Sequence, residues 1–312
     1  MERPYRVRRS CLAVPASSER FIEKARGLPA DEVFLDLEDA VAPSAKAQAR
    51  ANAVAALTAD WGGRLVAVRV NDAATQWTHR DVLDVASGGR ADVIILPKVT
   101  SPDHVAWLDL LLGQVEREAG LTVGQTRIEA QIEDARGLAA VNAIAAASSR
   151  LEALVFGPAD FMASIGMRSL TVGGQPAGYD FDAHHYPLMR ILIAARSHGL
   201  QAIDGPYLKV RDADGFRRSA ASSAALGYDG KWVLHPTQIE PANRAFAPSA
   251  ADYSRAARIL EAYAQATTVD QRGAVMLGDE MIDEASRKMA QAIVARGNAA
   301  GFASGEPGQA EE

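Results

Sequence analysis

Cysteine is almost missing: Cys11 stands alone in 312 residues. One thiol makes no internal disulfide, so the fold must rest on a buried core, and nothing asks for an oxidising compartment. Long apolar runs are missing too, and none approaches the ~20 residues of a membrane-spanning helix. The N-terminus carries Arg3, Arg6, Arg8 and Arg9 ahead of an apolar stretch. Pro15 ends that stretch at Val14, short of the ~7–15 apolar residues of a secretory signal. A cytoplasmic protein with no membrane partner is expected. Basic residues are not in excess: 33 Lys and Arg face 39 Asp and Glu, a formal charge of −6. That argues against nucleic acid, whose phosphates need a basic surface. There is no cysteine pair and no i, i+4 histidine pair, so zinc is not expected. His184 and His185 read as surface or loop residues. No G-x-G-x-x-G follows the first apolar run, which weakens a dinucleotide-binding reading.

What is present is alternation. Short apolar runs occur at Ser10–Val14, Val33–Leu37, Leu65–Val70, Val93–Leu96, Ile128–Ile132, Ala153–Phe156, Gln201–Ile203 and Lys231–Leu234. Several are rich in Val and Ile, and such runs suit buried parallel strands. Between them lie helical patterns. In Pro102–Ala119, Val105, Leu108, Leu111, Leu112, Val115 and Ala119 fall on one face, behind the cap signal Ser101–Pro102. Strands alternating with helices in this way predict a (β/α)8 TIM barrel over residues 1–246, with a doubly wound open sheet as the competing fold. Residues 247–304 read as a C-terminal helical extension or lid. It comprises a helix over Ala250–Ala266, a hairpin-like stretch over Gly273–Gly278 and a helix over Asp283–Arg296. The polar tail, 305–312, is expected to be disordered.

Polar residues collect just past the predicted strands: Asp36, Glu38 and Asp39; Arg69 and Asn71; Pro97 and Lys98; Glu133 and Asp134; Gly157, Pro158 and Asp160; Asp204; His235. Acids after strands often only cap the next helix. Many together, with an Arg and a Lys among them, point to a site on the face where a barrel's βα-loops meet. Glu133 and Asp160 are one βα unit apart, so their carboxylates can converge. Two carboxylates completed by water and substrate oxygens suit Mg²⁺. The competing readings are a helix cap for Asp160 and an ion pair for Glu133.

These residues lie in recognisable segments: RSCLAVP (Arg9–Pro15), FLDLEDAV (Phe34–Val41), VRVN (Val68–Asn71), ILPKV (Ile95–Val99), EAQIEDA (Glu129–Ala135), VFGPADF (Val155–Phe161), IDGPY (Ile203–Tyr207), GKWVLHPTQ (Gly230–Gln238) and MID (Met281–Asp283). In this order they resemble the citrate lyase β-subunit-like CoA-ester lyases of the HpcH/HpaI aldolase family. Ala163–Met167, with Gly173–Gly174, is more similar to the malyl-CoA/β-methylmalyl-CoA lyase branch. The resemblance implies a TIM barrel whose C-terminal extension covers a neighbouring subunit's barrel mouth in a homotrimer or homohexamer.

The resemblance also implies the reaction. A β-hydroxyacyl-CoA such as L-malyl-CoA or β-methylmalyl-CoA is cleaved to glyoxylate and acetyl-CoA or propionyl-CoA, with Claisen condensation as the reverse. Glu133 and Asp160 match the family's Mg²⁺ ligands, with Mn²⁺ as a substitute. Arg69 matches its arginine over the reacting centre. Asp283 matches its proton-exchanging aspartate, with Asp279 as the alternative and an N-cap as the competing reading. Glu38 and Asp39 match an acidic pair that orients waters. For coenzyme A, Lys24 matches a phosphate-facing lysine. Ser18 and Ala13 stand where the family often has an arginine and an aromatic, so Arg20 is the substitute cation. Ala159 beside Asp160, and Leu234 with His235, match substrate- and pantetheine-facing positions. Three alternatives stay open: a citramalyl-CoA lyase, a malyl-CoA thioesterase with malate-synthase-like chemistry, and a citrate lyase β subunit acting on an acyl carrier protein or CoA.

Overall fold

Each apolar run becomes a strand. The structure, a computed structural model, describes residues 5–89, 91–169, 171–172, 178–269 and 271–302. Gly173–Gly174 and the tail 305–312 lie outside the described residues. The strands are β1 (Ser10–Pro15), β2 (Glu32–Asp36), β3 (Leu65–Arg69), β4 (Val93–Leu96), β5 (Arg127–Ile132), β6 (Leu151–Phe156), β7 (Gln201–Asp204) and β8 (Gly230–Val233). They pair in sequence order and close into a barrel. The closing seam is parallel and sets Ser10 against Lys231, Cys11 against Trp232 and Leu12 against Val233. Closure excludes the open doubly wound sheet.

Helices α1 (Glu19–Arg26), α2 (Lys46–Leu57), α3 (Thr78–Asp84), α4 (Pro102–Glu118), α5 (Ala135–Ala139), α6 (Val141–Ala145), α7 (Pro158–Ser164), α8 (His185–Ser197), α9 (Ala213–Leu226) and α10 (Ile239–Phe246) follow or fill the connections. The start of α4 is as predicted: Ser101 accepts from the Asp103 N–H, and Pro102 takes a position that needs no donor. His184 departs from its expected surface place. It precedes α8 and is buried edge-on against the Phe156 ring, with centroids 5.9 Å apart, whereas His185 is exposed.

Two apolar clusters follow from strand alternation. One joins strand residues to the helices (Leu35, Ile94 and Leu154 with Ile22, Ala49 and Leu108) and lies between sheet and helices. The other contains only strand residues among its buried members: Cys11, Phe34, Ala67, Val93, Ile95, Ala153, Val155, Ile203 and Trp232. It fills the barrel interior, so the barrel is a packed core and not a pore. At the N-terminal end of the strands, buried Arg8 meets Glu32 at 3.0 Å, Glu129 at 2.8 Å and Glu152 at 2.7 Å, and donates to Gln201. This charged floor leaves the opposite end for chemistry.

The chain divides into two compact units: Arg8–Phe246, and the described residues before and after it. In the second unit, α11 (Ala250–Thr268) packs on α12 (Glu284–Ala299), beside an antiparallel hairpin of β9 (Val275–Leu277) and β10 (Glu280–Ile282). The hairpin runs beyond the predicted Gly273–Gly278. Gly278, at φ +63, turns the chain back with Asp279 instead of ending it. Gly297 lets the helices approach, since a Cβ there would come within 2.3 Å of the Tyr253 ring. Among the described residues, no helix is long and apolar enough to cross a membrane.

Candidate active site

Parallel strands end on one face, and there β2 and β3 put Asp36 opposite Arg69. Arg69 Nε donates to Asp36 Oδ1 and Nη2 to Oδ2, both at 2.7 Å. Asp36 also accepts the N–H groups of Glu38 at 2.9 Å and Ala40 at 3.1 Å. Burial works against an ionised Asp36. Arg69 and these N–H groups outweigh it and hold the carboxyl below the usual range. The remaining edge of Arg69 faces the site: Nη1 lies 3.2 Å from Glu38 Oε2 and 3.7 Å from Asp39 Oδ2. Its guanidinium carbon sits 5.3 Å from the Trp232 ring centroid. A planar cation held on edge and face cannot turn away from what binds beside it.

Lys98 comes next, from the turn after β4. Its ammonium donates to Glu38 Oε1 and lies 3.5 Å from both Asp39 Oδ1 and Asp160 Oδ2. Its backbone N–H donates to Glu133 Oε1 at 2.8 Å. Glu38 therefore bridges Arg69 and Lys98. Its loop is pinned by buried Lys46, which donates to the Leu37 and Glu38 carbonyls at 2.7 Å each. Burial first, then neighbouring Asp39, raises Glu38 above the ordinary carboxylate range despite both cations.

Glu133 and Asp160 line one cavity of about 420 Å³, with Asp72, Lys98, His104 and Arg136 among its walls. Glu133 is 3% exposed, and its Oε2 accepts the Gln131 amide at 2.7 Å. Burial is the main reason its pKa is raised to about 8, with Asp160 and Glu38 adding to it. Asp160 is open, its side chain 42% exposed. It lies in the first turn of α7, whose N-cap is Gly157, so the capping reading of Asp160 does not hold. Asp134 does cap, accepting the Arg136 N–H at 2.7 Å. Among the described residues no group of three or more His, Cys, Asp or Glu gathers as a metal site. A buried carboxylate short of positive charge and an open one beside it fit a hard cation that takes few protein ligands. Mg²⁺ is such an ion. Glu133 and Asp160 are the residues that would hold it.

A second cavity, about 300 Å³, lies between β1, α1 and the turn after β8. Its walls are mostly apolar (Leu12, Ala13, Val14, Phe21, Leu234), with Lys24 and His235 as polar members. Lys24, Leu234 and His235, separated widely in sequence, are thus brought together. Arg20 is not among the lining residues; its guanidinium stacks on Phe21, 5.1 Å from the ring centroid. Ala159 is exposed at the start of α7, next to Asp160.

Residues 9–236 match the family model of the HpcH/HpaI aldolase/citrate lyase family. The chain belongs to that family. It is 40% identical over 303 residues to an L-malyl-CoA/β-methylmalyl-CoA lyase of Cereibacter sphaeroides, covering 93% of this chain and 95% of that one. It is 39% identical over 271 residues to a (3S)-malyl-CoA thioesterase of the same species, covering 86% and 88%. Among solved structures it is similar to the protein CitE from Mycobacterium tuberculosis in complex with magnesium, acetoacetate and coenzyme A. The TM-score is 0.73 at 29% identity, covering 93% of this chain and 97% of that one. As a member of the HpcH/HpaI aldolase/citrate lyase family, the protein is a carbon–carbon lyase.

Asp283, expected from the sequence as the proton-exchanging aspartate, lies in the smaller unit. There Asp283 is the N-cap of α12, accepting the Ser286 N–H at 3.0 Å and its hydroxyl at 3.1 Å. These bonds hold its carboxyl below the ordinary range, not above it as burial under a lid would. Asp279 is exposed at the hairpin turn. Around Arg69 and Glu133, sequence reasoning assigned Asp36 and Lys98 no role of their own within the strand-end cluster, and Trp232 no place in the site. Asp36 and Lys98 were visible as strand-end residues. Trp232 carried no signal, since an indole inside a strand reads as core.

Proposed function

We propose that this carbon–carbon lyase cleaves β-hydroxyacyl-CoA thioesters, L-malyl-CoA or β-methylmalyl-CoA, to glyoxylate and acetyl-CoA or propionyl-CoA, and that it requires Mg²⁺. One observation carries the reading. Glu133 and Asp160 line one cavity, and Arg69, clamped by Asp36, meets the same Glu38 that Lys98 ties to Asp160. The relatives' names and the bound ligands of the CitE structure point the same way.

The β-hydroxyl loses its proton and becomes the carbonyl of the 2-oxo acid as the bond between the α and β carbons breaks; the bonding pair stays on the thioester side, and the α carbon takes up a proton. Arg69 stays protonated, because Asp36 and Glu38 outweigh the burial that opposes its charge, and offers fixed donors to the oxyanion that develops. Mg²⁺, held by Glu133 and Asp160, would polarise the oxygens of the 2-oxo acid. Glu38 and Asp39 orient water on the substrate side of Arg69. Asp283, or Asp279 in its stead, exchanges the proton at the α carbon. Lys24, with Arg20 nearby, meets the CoA phosphates, while Leu234 and His235 flank the pantetheine and Ala159 the substrate. Assembly as a homotrimer or homohexamer, with residues 247–304 as a lid, belongs to the same proposal.

A second reading is hydrolysis of malyl-CoA to malate, favoured by the thioesterase among the relatives. One experiment separates the two. The protein is incubated with Mg²⁺, glyoxylate or pyruvate, and acetyl- or propionyl-CoA, and products are read by mass spectrometry. Malyl-CoA or methylmalyl-CoA that persists, and reverts to glyoxylate unless EDTA is added, supports the lyase. Free malate supports the thioesterase, and citramalyl-CoA from pyruvate moves the substrate assignment. No glyoxylate from malyl- or methylmalyl-CoA with Mg²⁺ present overturns the proposal.

A further inference from the structure

Lys98 contacts four carboxylates at the barrel mouth: Glu133, Glu38, Asp39 and Asp160. Its backbone takes φ +51, a conformation that side chains other than glycine rarely adopt. The consequence is that one residue works in two directions. The N–H donates to Glu133 Oε1 at 2.8 Å. The ammonium donates to Glu38 and lies 3.5 Å from Asp39 and from Asp160. The neighbouring cations have partners other than Asp160. Arg69 is clamped by Asp36 and reaches Glu38 and Asp39. Lys46 is committed to two carbonyls, and Arg136 to Asp134. Lys98 is only 29% exposed, so water screens its charge poorly.

We infer that Lys98 is a positioning residue that sets the affinity of the site for its divalent cation, its ammonium competing for Asp160 while its N–H holds Glu133 in place. The inference rests on Glu133 and Asp160 being the Mg²⁺ ligands, as proposed above. An ammonium beside Asp160 neutralises carboxylates that would otherwise repel one another. It also repels an arriving divalent cation across a few ångströms. The flexible stem lets the ammonium withdraw to Glu38 and Asp39 when a divalent cation arrives, whereas the N–H contact to Glu133 stays.

The test is calorimetric titration of the purified protein with MgCl₂, comparing the native chain with Lys98→Met and Lys98→Arg. Lys98→Met keeps the N–H and removes the charge, so it should bind Mg²⁺ about tenfold tighter or more. Its melting temperature without Mg²⁺ should fall, and Mg²⁺ should restore it. Lys98→Arg should bind as the native protein does. Equal or weaker binding by Lys98→Met overturns the inference while leaving the Mg²⁺ ligands in place. Failure of the native protein to bind Mg²⁺ overturns the ligand assignment and this inference with it.

Discussion

Gly157 makes room for Glu133: a Cβ built on Gly157 would lie 2.3 Å from Glu133 Oε2 and 2.4 Å from its Cβ. No side chain fits at this end of β6 without pushing the buried carboxylate off its hydrogen bonds to Lys98 and Gln131. Gly157→Ala should leave a folded barrel that binds Mg²⁺ and turns over malyl-CoA about 10–100-fold less well, the usual cost of disturbing a ligand's supports. Circular dichroism with metal titration checks it. Native Mg²⁺ affinity in the variant would separate Glu133 from the metal.

Asp36 should matter nearly as much as the arginine it holds. In Asp36→Asn, Arg69 loses its bidentate ion pair and keeps one amide oxygen there, so Glu38 and Asp39 become its only anionic partners among the described residues and the guanidinium is no longer fixed on edge. Loss of one partner of a buried pair costs about 3–5 kcal/mol when nothing replaces it, and the amide recovers part of this. We expect a large fall in kcat with a small change in KM for the acyl-CoA. Steady-state kinetics with a urea melt distinguishes this from general unfolding.

The barrel floor should make stability fall as pH rises. Burial, with Glu32 next to it, raises Glu129 well above the ordinary value of 4.5. The folded protein therefore keeps a proton that the unfolded chain loses above pH 4.5. The contribution is complete below that pH and declines above it, by up to about 1.4 kcal/mol per pH unit. Glu129→Gln should flatten urea midpoints between pH 5 and pH 8. Parallel curves for the two proteins would rule this out.

Glu116 should act in the opposite sense. It accepts from Arg150 Nη1 at 2.9 Å and Nη2 at 2.7 Å, and from the N–H groups of Gly124 and Thr126. Burial opposes the charge, but these donors outweigh it and lower its pKa below 4.5. Its stabilisation is present above pH 4.5 and is lost as pH falls through the lowered value. Glu116→Gln should cost about 3 kcal/mol at pH 7 and soften the acid limb of the stability curve, measured by urea unfolding from pH 3 to 7.

Much of this architecture was legible in the chain itself, because local rules wrote it. The short apolar runs, several of them rich in Val and Ile, marked each strand, Ser101–Pro102 marked the start of α4, and strand-end acids marked the face that would carry the site. A strand run and a helix cap depend on neighbours a few residues away, and those neighbours are visible in order. Asp134 and Asp36, both acids at strand ends, could not be told apart that way: one caps α5 and the other clamps Arg69.

That distinction belongs to the closed barrel alone. Asp36 meets Arg69 because parallel registration sets β2 and β3 side by side. Lys98 reaches Glu38 because the turn after β4 leans across β3, over a sequence distance of 60 residues. Trp232 comes under Arg69 because β8 returns to β1. Ion pairing and stacking act through space at a few ångströms, so their partners are chosen by strand order and stagger, which no local pattern encodes. Composition and periodicity thus determined strands alternating with helices and a charged cluster at the strand ends, and left open whether the sheet would close. Closure decided which acid holds the arginine, which one lies open, and which lysine stands between them.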